Sequence, residues 1–147
     1  MRGIDTTFLL QLEIVEAEGH DAARLFARET IWGRRGAVAV APQILNEFIH
    51  IVTDGRRFQR PMRIEEALRR AGWWWEAPEV LRVYPNEESV RIMLRWMQQH
   101  NLGRKRVLDT QLAATYLENG VHEILSTNER DFSLFQGIAV IDPASNY

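Results

Sequence analysis

Four acidic residues stand where a buried carboxylate can do chemistry, and two of them lie in the segment 107–132. Asp109 is placed at a helix start and leads a stripe of inward-facing residues at helical spacing. The stripe continues with Leu112, Ala113, Tyr116 and Leu117. Asp131 lies in a polar turn that follows an apolar strand, and Asn128 precedes it by three residues on the same side of that turn. A buried carboxylate without a compensating charge is costly, so two at one end of a sheet imply a bound cation or a shared proton.

Asp5 and Glu47 are the other two acidic candidates. Asp5 ends the first predicted strand at the point where the first helix begins. The carboxyl ends of strands form the ligand crevice in open α/β sheets, which favours a functional role, although a helix N-cap is an equally good interpretation. Glu47 falls on or beside the buried face of the helix that starts at Pro42. A glutamate in that position needs a metal, a buried arginine or a hydrogen-bonded cap.

Four converging carboxylates would repel one another unless cations lay between them, and Mg²⁺ or Mn²⁺ are the hard cations that take such oxygen ligands. A cluster of this kind suits phosphodiester hydrolysis, in which a metal activates the attacking water. Basic residues can hold the flanking phosphates of a polynucleotide, or can simply be solvated helix ends and loops. The candidates are Arg56, Arg57, Arg104, Lys105 and Arg106.

The elements that must position these residues alternate between short apolar strands and amphipathic helices along the chain. About five strands are predicted, over 3–6, 37–42, 80–84, 121–125 and 138–141. Helices are predicted from residue 7 or 8, over 21–32, from 42 to about 52, over 64–75 and 87–99, and around 109–117. This alternation predicts a parallel sheet covered by helices on both faces, in one domain spanning residues 1–147.

The composition limits the function classes. The net charge of -2 argues against a broadly basic nucleic-acid coat, and the absence of cysteine excludes disulfides and thiolate chemistry. No apolar run approaches about 18 residues, and the start of the chain lacks a signal-peptide pattern, so we expect a cytoplasmic protein. The successive indoles Trp73 to Trp75 cannot all face inward on a helix, which leaves core, dimer and other protein contacts open for them.

Several segments, taken together and in this order, resemble the PIN-domain ribonucleases, and more narrowly the VapC toxins of toxin–antitoxin pairs. They are Ile4-Asp5-Thr6-Thr7, Ala41-Pro42-Gln43, Asn46-Glu47-Phe48, 52–58, Leu108-Asp109 with Leu112-Ala113-Ala114, Asn128 with Arg130-Asp131-Phe132, and Ile141-Asp142-Pro143. Each is weak alone, whereas the full series is specific and covers nearly the whole chain.

The resemblance implies a three-layer α/β/α fold and an Mg²⁺- or Mn²⁺-dependent endoribonuclease. The residues that match the family's acidic quartet, as metal ligands and catalytic groups, are Asp5, Glu47, Asp109 and Asp131. Thr7 and Asn128 match supporting positions. The resemblance also implies RNA as the substrate, a homodimer or higher homo-oligomer, and inhibition by a cognate antitoxin protein.

Two other functions compete with this interpretation. One is a PIN-like binding module with little or no catalysis and a weakly metallated acidic cluster. The other is a phosphomonoester hydrolase with Asp5 as its nucleophile, but that chemistry normally uses a second aspartate two residues later, where this chain has Thr7.

Overall fold

The fold is a five-stranded parallel sheet with helices packed on both faces. The computed structural model describes residues 1–146, and of Asn146 only the backbone. The strands are β1 (Arg2–Ile4), β2 (Val38–Val40), β3 (Val80–Arg82), β4 (Glu123–Leu125) and β5 (Ala139–Ile141). The helices are α1 (Thr6–Glu13), α2 (His20–Thr30), α3 (Pro42–Val52), α4 (Ile64–Glu76), α5 (Glu87–Gln99), α6 (Val107–Glu118) and α7 (Glu129–Phe132). Short 3-10 turns precede α6 at Arg104–Arg106 and follow β5 at Pro143–Asn146.

The strand order is β3-β2-β1-β4-β5, and every pairing between neighbours is parallel. The chain builds β1, β2 and β3 in one direction and then crosses back to add β4 and β5 on the other side of β1. Right-handed crossovers place α1 to α4 on one face and α5 to α7 on the other, in agreement with the packing of α1 on α2 and α3 and of α6 on α5 and α7. The predicted three-layer α/β/α fold with about five strands is confirmed.

The reversal of strand order lies between β1 and β4. A crevice opens at such a switch point, beyond the carboxyl ends of the two strands. Asp5 directly follows β1 and Ser126 directly follows β4, so both residues lie at this crevice. The topology therefore sets one acidic side chain at the position where an open α/β sheet holds its ligands.

Contacts between β1 and Tyr116 hold α6 against the sheet. Gly3 faces α6, and a Cβ atom at this position would lie 2.5 Å from ring atoms of Tyr116. The Tyr116 ring is fully buried, and its hydroxyl donates a hydrogen bond to the carbonyl oxygen of Ile4 at 2.5 Å. Because Ile4 immediately precedes Asp5, this contact ties the helix that carries Asp109 to the strand end that carries Asp5.

The end of α1 is held against α4 by a nearly buried carboxylate. Glu13 accepts hydrogen bonds from Arg70 at 2.7 and 2.8 Å and from the indole nitrogen of Trp74 at 2.7 Å. Trp74 is 1 % exposed, whereas Trp73 is 46 % exposed. Trp75 packs edge-on against Tyr84. Of the three successive indoles, one therefore belongs to the core and one leaves a large apolar surface in solvent.

Some predicted element ends are wrong for local reasons. The strand predicted over 121–125 begins at Glu123, because the N–H of Val121 donates to the carbonyl of Tyr116 at the end of α6 rather than to the sheet. The first strand stops at Ile4 because α1 already begins at Thr6. The helix predicted over 21–32 ends at Thr30. None of the helices within residues 1–146 combines the length and apolar character needed to cross a bilayer.

Candidate active site

Asp5 is the most deeply buried of the four predicted carboxylates, with 4 % of its surface exposed. Its Oδ2 atom accepts hydrogen bonds from the Ser126 hydroxyl at 2.7 Å and from the Thr7 hydroxyl at 3.0 Å. Burial raises the pKa of Asp5 above its ordinary value, although the hydrogen bonds from Ser126 and Thr7 oppose this effect. Asp5 also occupies the N-cap position of α1, but its side chain makes no capping hydrogen bond to that helix.

Asp109 lies in the first turn of α6 and is half-buried. Burial raises its pKa to about 6, and the negative charges of Asp5, Asp131 and Glu47 contribute to this rise in that order. The positive charge of Arg106 lowers the pKa of Asp109. Because charges act strongly only over short distances in a screened protein environment, the four predicted acidic residues share one electrostatic site.

Glu47 reaches this site from the second turn of α3. Its Oε2 atom accepts a hydrogen bond from the Thr6 hydroxyl at 2.7 Å, and its Oε1 atom accepts a longer one from Gln43 at 3.4 Å. The same Gln43 amide nitrogen donates to the carbonyl oxygen of Leu108 at 3.0 Å. Gln43 therefore links the helix that carries Glu47 to the residue immediately before Asp109.

Asp131 lies in α7 and is held by Arg106 from the turn before α6. The Arg106 guanidinium donates to the backbone carbonyl of Asp131 and lies 3.8 Å from its Oδ1 atom. Asn128 is exposed, and its backbone N–H donates to the Ser126 hydroxyl at 2.9 Å. The Ser126 hydroxyl consequently connects the turn that begins α7 to the carboxylate of Asp5.

The charges of the four carboxylates act on one another, but the four side chains do not form a closed metal site. Within residues 1–146, no three acidic, histidine or cysteine side chains are grouped so that they could hold a metal ion. The donor set itself suits a hard cation, because all four side chains offer carboxylate oxygens and two of them have raised pKa values.

The five predicted basic residues fall into different surroundings. Arg104 and Lys105 are exposed, and Arg106 is partly buried against Asp131. Arg56 and Arg57 pair with Asp54 at 3.8 Å in the turn after α3. That turn is separated from Glu47 by the last part of α3, so this pair does not adjoin the carboxylates.

Sequence reasoning missed three residues that position the carboxylates. They are Ser126, Thr6 and Gln43. Ser126 follows β4 as Asp5 follows β1, so its place after a strand was a usable indication. Thr6 and Gln43 offered less, because a polar residue in the first turn of a helix usually serves the helix end.

Comparisons with known proteins agree with the observed three-layer α/β/α fold. No protein-family model matches the chain. Ribonuclease VapC24 from Mycobacterium tuberculosis is 29% identical to it over 155 aligned residues, covering 99% of both chains.

Solved structures give the same result for the fold. VapC20 from Mycobacterium tuberculosis, a Sarcin-Ricin loop cleaving toxin, has a TM-score of 0.70 at 16% identity and covers 91% of this chain and 94% of that one. VapBC-1 from nontypeable Haemophilus influenzae has a TM-score of 0.67 at 16% identity and covers 97% of each. The predicted resemblance to VapC-type PIN-domain proteins is confirmed, by sequence along the whole chain and by fold.

Proposed function

We propose that this chain is an endoribonuclease that hydrolyses RNA phosphodiester bonds with Mg²⁺ or Mn²⁺, as the toxin of a VapBC-like toxin–antitoxin pair. The observation that carries the proposal is the buried Asp5 at the switch point of the sheet, sharing one electrostatic site with Asp109, Glu47 and Asp131. Support for the substrate class comes from the full-length relative named as a ribonuclease.

The proposed role of each side chain follows from its surroundings. Asp5, fixed by Ser126 and Thr7, is the rigid ligand around which a cation would assemble. Glu47, Asp109 and Asp131 would complete its oxygen ligands. When bound, a divalent cation polarises water for attack on phosphorus and offsets charge on the leaving oxygen. Arg104 and Lys105, exposed in the turn before α6, would bind neighbouring phosphates.

Cleavage of a mixed RNA pool by the purified protein tests the proposal. We expect cleavage with Mg²⁺ or Mn²⁺, its loss on chelation, and its loss in Asp5→Asn and Asp109→Asn. Asp21→Asn is the matched control, because Asp21 is an exposed residue in the first turn of α2 and lies outside the acidic site. Equal cleavage by the parent and both site variants would assign the activity to a contaminant or to another site.

The open arrangement of the carboxylates favours a second candidate, a PIN-like interaction module with weak metal binding and little catalysis. The absence of a preformed metal site in residues 1–146 is the observation on its side. Titration with Mn²⁺ separates the two candidates, because the module would saturate weakly and leave RNA intact at saturating metal.

A protein partner and self-association form part of the proposal. Solved structures of similar fold include a toxin–antitoxin complex from Klebsiella pneumoniae, with a TM-score of 0.64 at 13% identity. In this chain α4 exposes Leu68 and Trp73, at 54% and 46%. An apolar groove of about 320 Å³ runs beside α4, lined among others by Leu45, Ile49 and Trp75. Exposed apolar surface of this kind suits a protein contact, either a cognate antitoxin or a second copy.

Light scattering of the chain alone distinguishes these occupants. If the chain forms a homodimer and Leu68→Glu dissociates it, the exposed apolar surface of α4 binds a second copy of the chain. If the chain is a monomer and forms a complex only with a co-expressed antitoxin, that surface binds the antitoxin. A nuclease of cellular RNA would act in the cytoplasm, the location that we propose for this protein.

A further inference from the structure

A cavity of the protein adjoins the acidic site through a shared side chain. It has a volume of about 620 Å³, within the range typical of small-molecule sites, and lies between α1, the start of α2 and the chain after β4 and β5. Thr7 lines this cavity, and its hydroxyl also donates a hydrogen bond to the Oδ2 atom of Asp5 at 3.0 Å. The backbone N–H of Thr127, another lining residue, donates to the Thr7 hydroxyl at 3.1 Å. A ligand here would be separated from the quartet by one threonine.

A buried acceptor in the cavity lining lacks a donor. Gln11 is 6 % exposed, and its Nε2 atom donates to the carbonyl oxygen of Glu18 at 3.2 Å. Its Oε1 atom is enclosed and accepts no hydrogen bond from the described residues. A ligand in the cavity does not reach an oxygen enclosed in this way, so Gln11 forms part of the cavity wall.

Asp142 supplies a carboxylate acceptor in the same lining. This residue begins the Asp-Pro pair after β5, a feature of the sequence that the proposed catalysis does not use. Its two oxygens accept from the Ala144 N–H at 2.9 Å and the Ser145 hydroxyl at 3.1 Å. A carboxylate has about four acceptor positions, so two remain for a ligand. Leu10, Ala17 and Ala22 give the cavity an apolar wall.

We infer that this cavity binds a guanine base of the RNA substrate, next to the phosphate that is cleaved. A carboxylate accepts two parallel hydrogen bonds from adjacent donors, and guanine presents N1–H and N2–H side by side. Adenine, cytosine and uracil each present fewer adjacent donors on that edge. The apolar wall suits the flat face of a base that has been turned out of its stack. The inference rests on the proposed ribonuclease function for its substrate class, and it assigns the base preference to Asp142.

Binding of two nucleotides that differ by one group tests the inference. Guanosine 5′-monophosphate carries the 2-amino group, and inosine 5′-monophosphate lacks it, while the sugar, the phosphate and any bound metal are the same. We expect the parent protein to bind the guanosine nucleotide about tenfold more tightly, as for a hydrogen bond to a charged group. Asp142→Asn should abolish the difference, because an amide replaces one acceptor by donors. Ala22→Leu should weaken both nucleotides by filling the cavity.

The control and the contrary outcomes are distinct. Asp21→Asn makes the same charge change on a residue that does not line the cavity, and it should keep the tenfold difference. Equal binding of the two nucleotides, or no binding of either, overturns the inference. Binding of N-acetylarginine amide in their place also overturns it and assigns the cavity to a protein partner's arginine. Because nucleotide binding is measured without cleavage, failure of the ribonuclease proposal is recognised separately, by intact RNA in the parent reaction.

Discussion

Arg106 and Asp131 are joined twice, through a hydrogen bond from the guanidinium to the backbone carbonyl of Asp131 and through an ion pair with its carboxylate at 3.8 Å. The Nε atom of Arg106 is buried and has no partner among the described residues. The Thr110 hydroxyl donates to the Arg106 carbonyl at 2.6 Å, which fixes the turn before α6. Arg106 therefore holds α7 against α6 and brings one positive charge to the acidic site.

Removal of the Arg106 guanidinium should loosen this junction. We expect Arg106→Met to lower the free energy of unfolding by about 1–2 kcal/mol, because a hydrogen bond to a charged donor and a partly buried ion pair are lost. The pKa of Asp109 should also rise further, since Arg106 lowers it in the parent. Urea unfolding measures the first effect and NMR titration of the carboxyl group the second. Arg104→Met, at an exposed neighbour, should change neither, and equal effects in the two variants would contradict this assignment.

The raised pKa of Asp109 predicts a pH-dependent stability in metal-free buffer. The folded pKa of about 6 exceeds the unfolded value of 3.8, so the folded state binds more protons between these values and the carboxylate destabilises the fold increasingly as pH rises toward about 6. At pH 7 we expect Asp109→Asn to be more stable than the parent by about 1 kcal/mol, after a discount for solvent screening. The gain should disappear as pH falls toward 4. Thermal unfolding at a series of pH values measures it, and a clear fall in melting temperature at pH 7 would show that Asp109 is structural.

Metal binding should stabilise the parent protein and leave the Asp5 variant unchanged. A cation that binds only the folded state adds about 2.7 kcal/mol at a concentration one hundred times its Kd. Mn²⁺ should therefore raise the melting temperature of the parent, and chelation should reverse the shift. Asp5→Asn should show no shift because the most rigid ligand is lost. Potassium chloride at matched ionic strength controls for screening, and an identical response to Mn²⁺ in both proteins would remove Asp5 from the metal site.

Gly3 should be intolerant of any side chain. The Cβ of alanine would lie 2.5 Å from the buried Tyr116 ring, so α6 must shift away from β1. We expect Gly3→Ala to cost about 1–3 kcal/mol by overpacking. Gly72→Ala is the matched control, because Gly72 lies in α4 with nothing within 4 Å of its added Cβ and should gain about 0.5–1 kcal/mol of helix stability. Chemical denaturation compares the two, and a neutral Gly3→Ala would show that the ring has room to move.

The sequence by itself determined the order and type of the elements. Strand and helix periodicities are local properties, and they gave the parallel sheet with helices on both faces. They also indicated that Asp5 follows a strand and that Asp109 leads a buried helix face. Element ends were less predictable: Val121 has the composition of a strand residue but bonds to the end of α6. Competition between two hydrogen-bond partners is decided by tertiary packing.

Only the tertiary structure decided how the carboxylates are held and what lies beside them. The Thr6–Glu47 hydrogen bond joins residues 41 positions apart, and the Ser126–Asp5 bond joins residues 121 positions apart. Arg104 and Arg106 lie in the same basic segment, and the sequence does not distinguish their roles. Packing turns Arg106 toward Asp131 and leaves Arg104 in solvent. The cavity beyond Thr7 likewise exists because helices α1 and α2 meet the chain after β4 and β5. Periodicity specifies which side of an element is buried, whereas such long-range contacts depend on how whole elements pack.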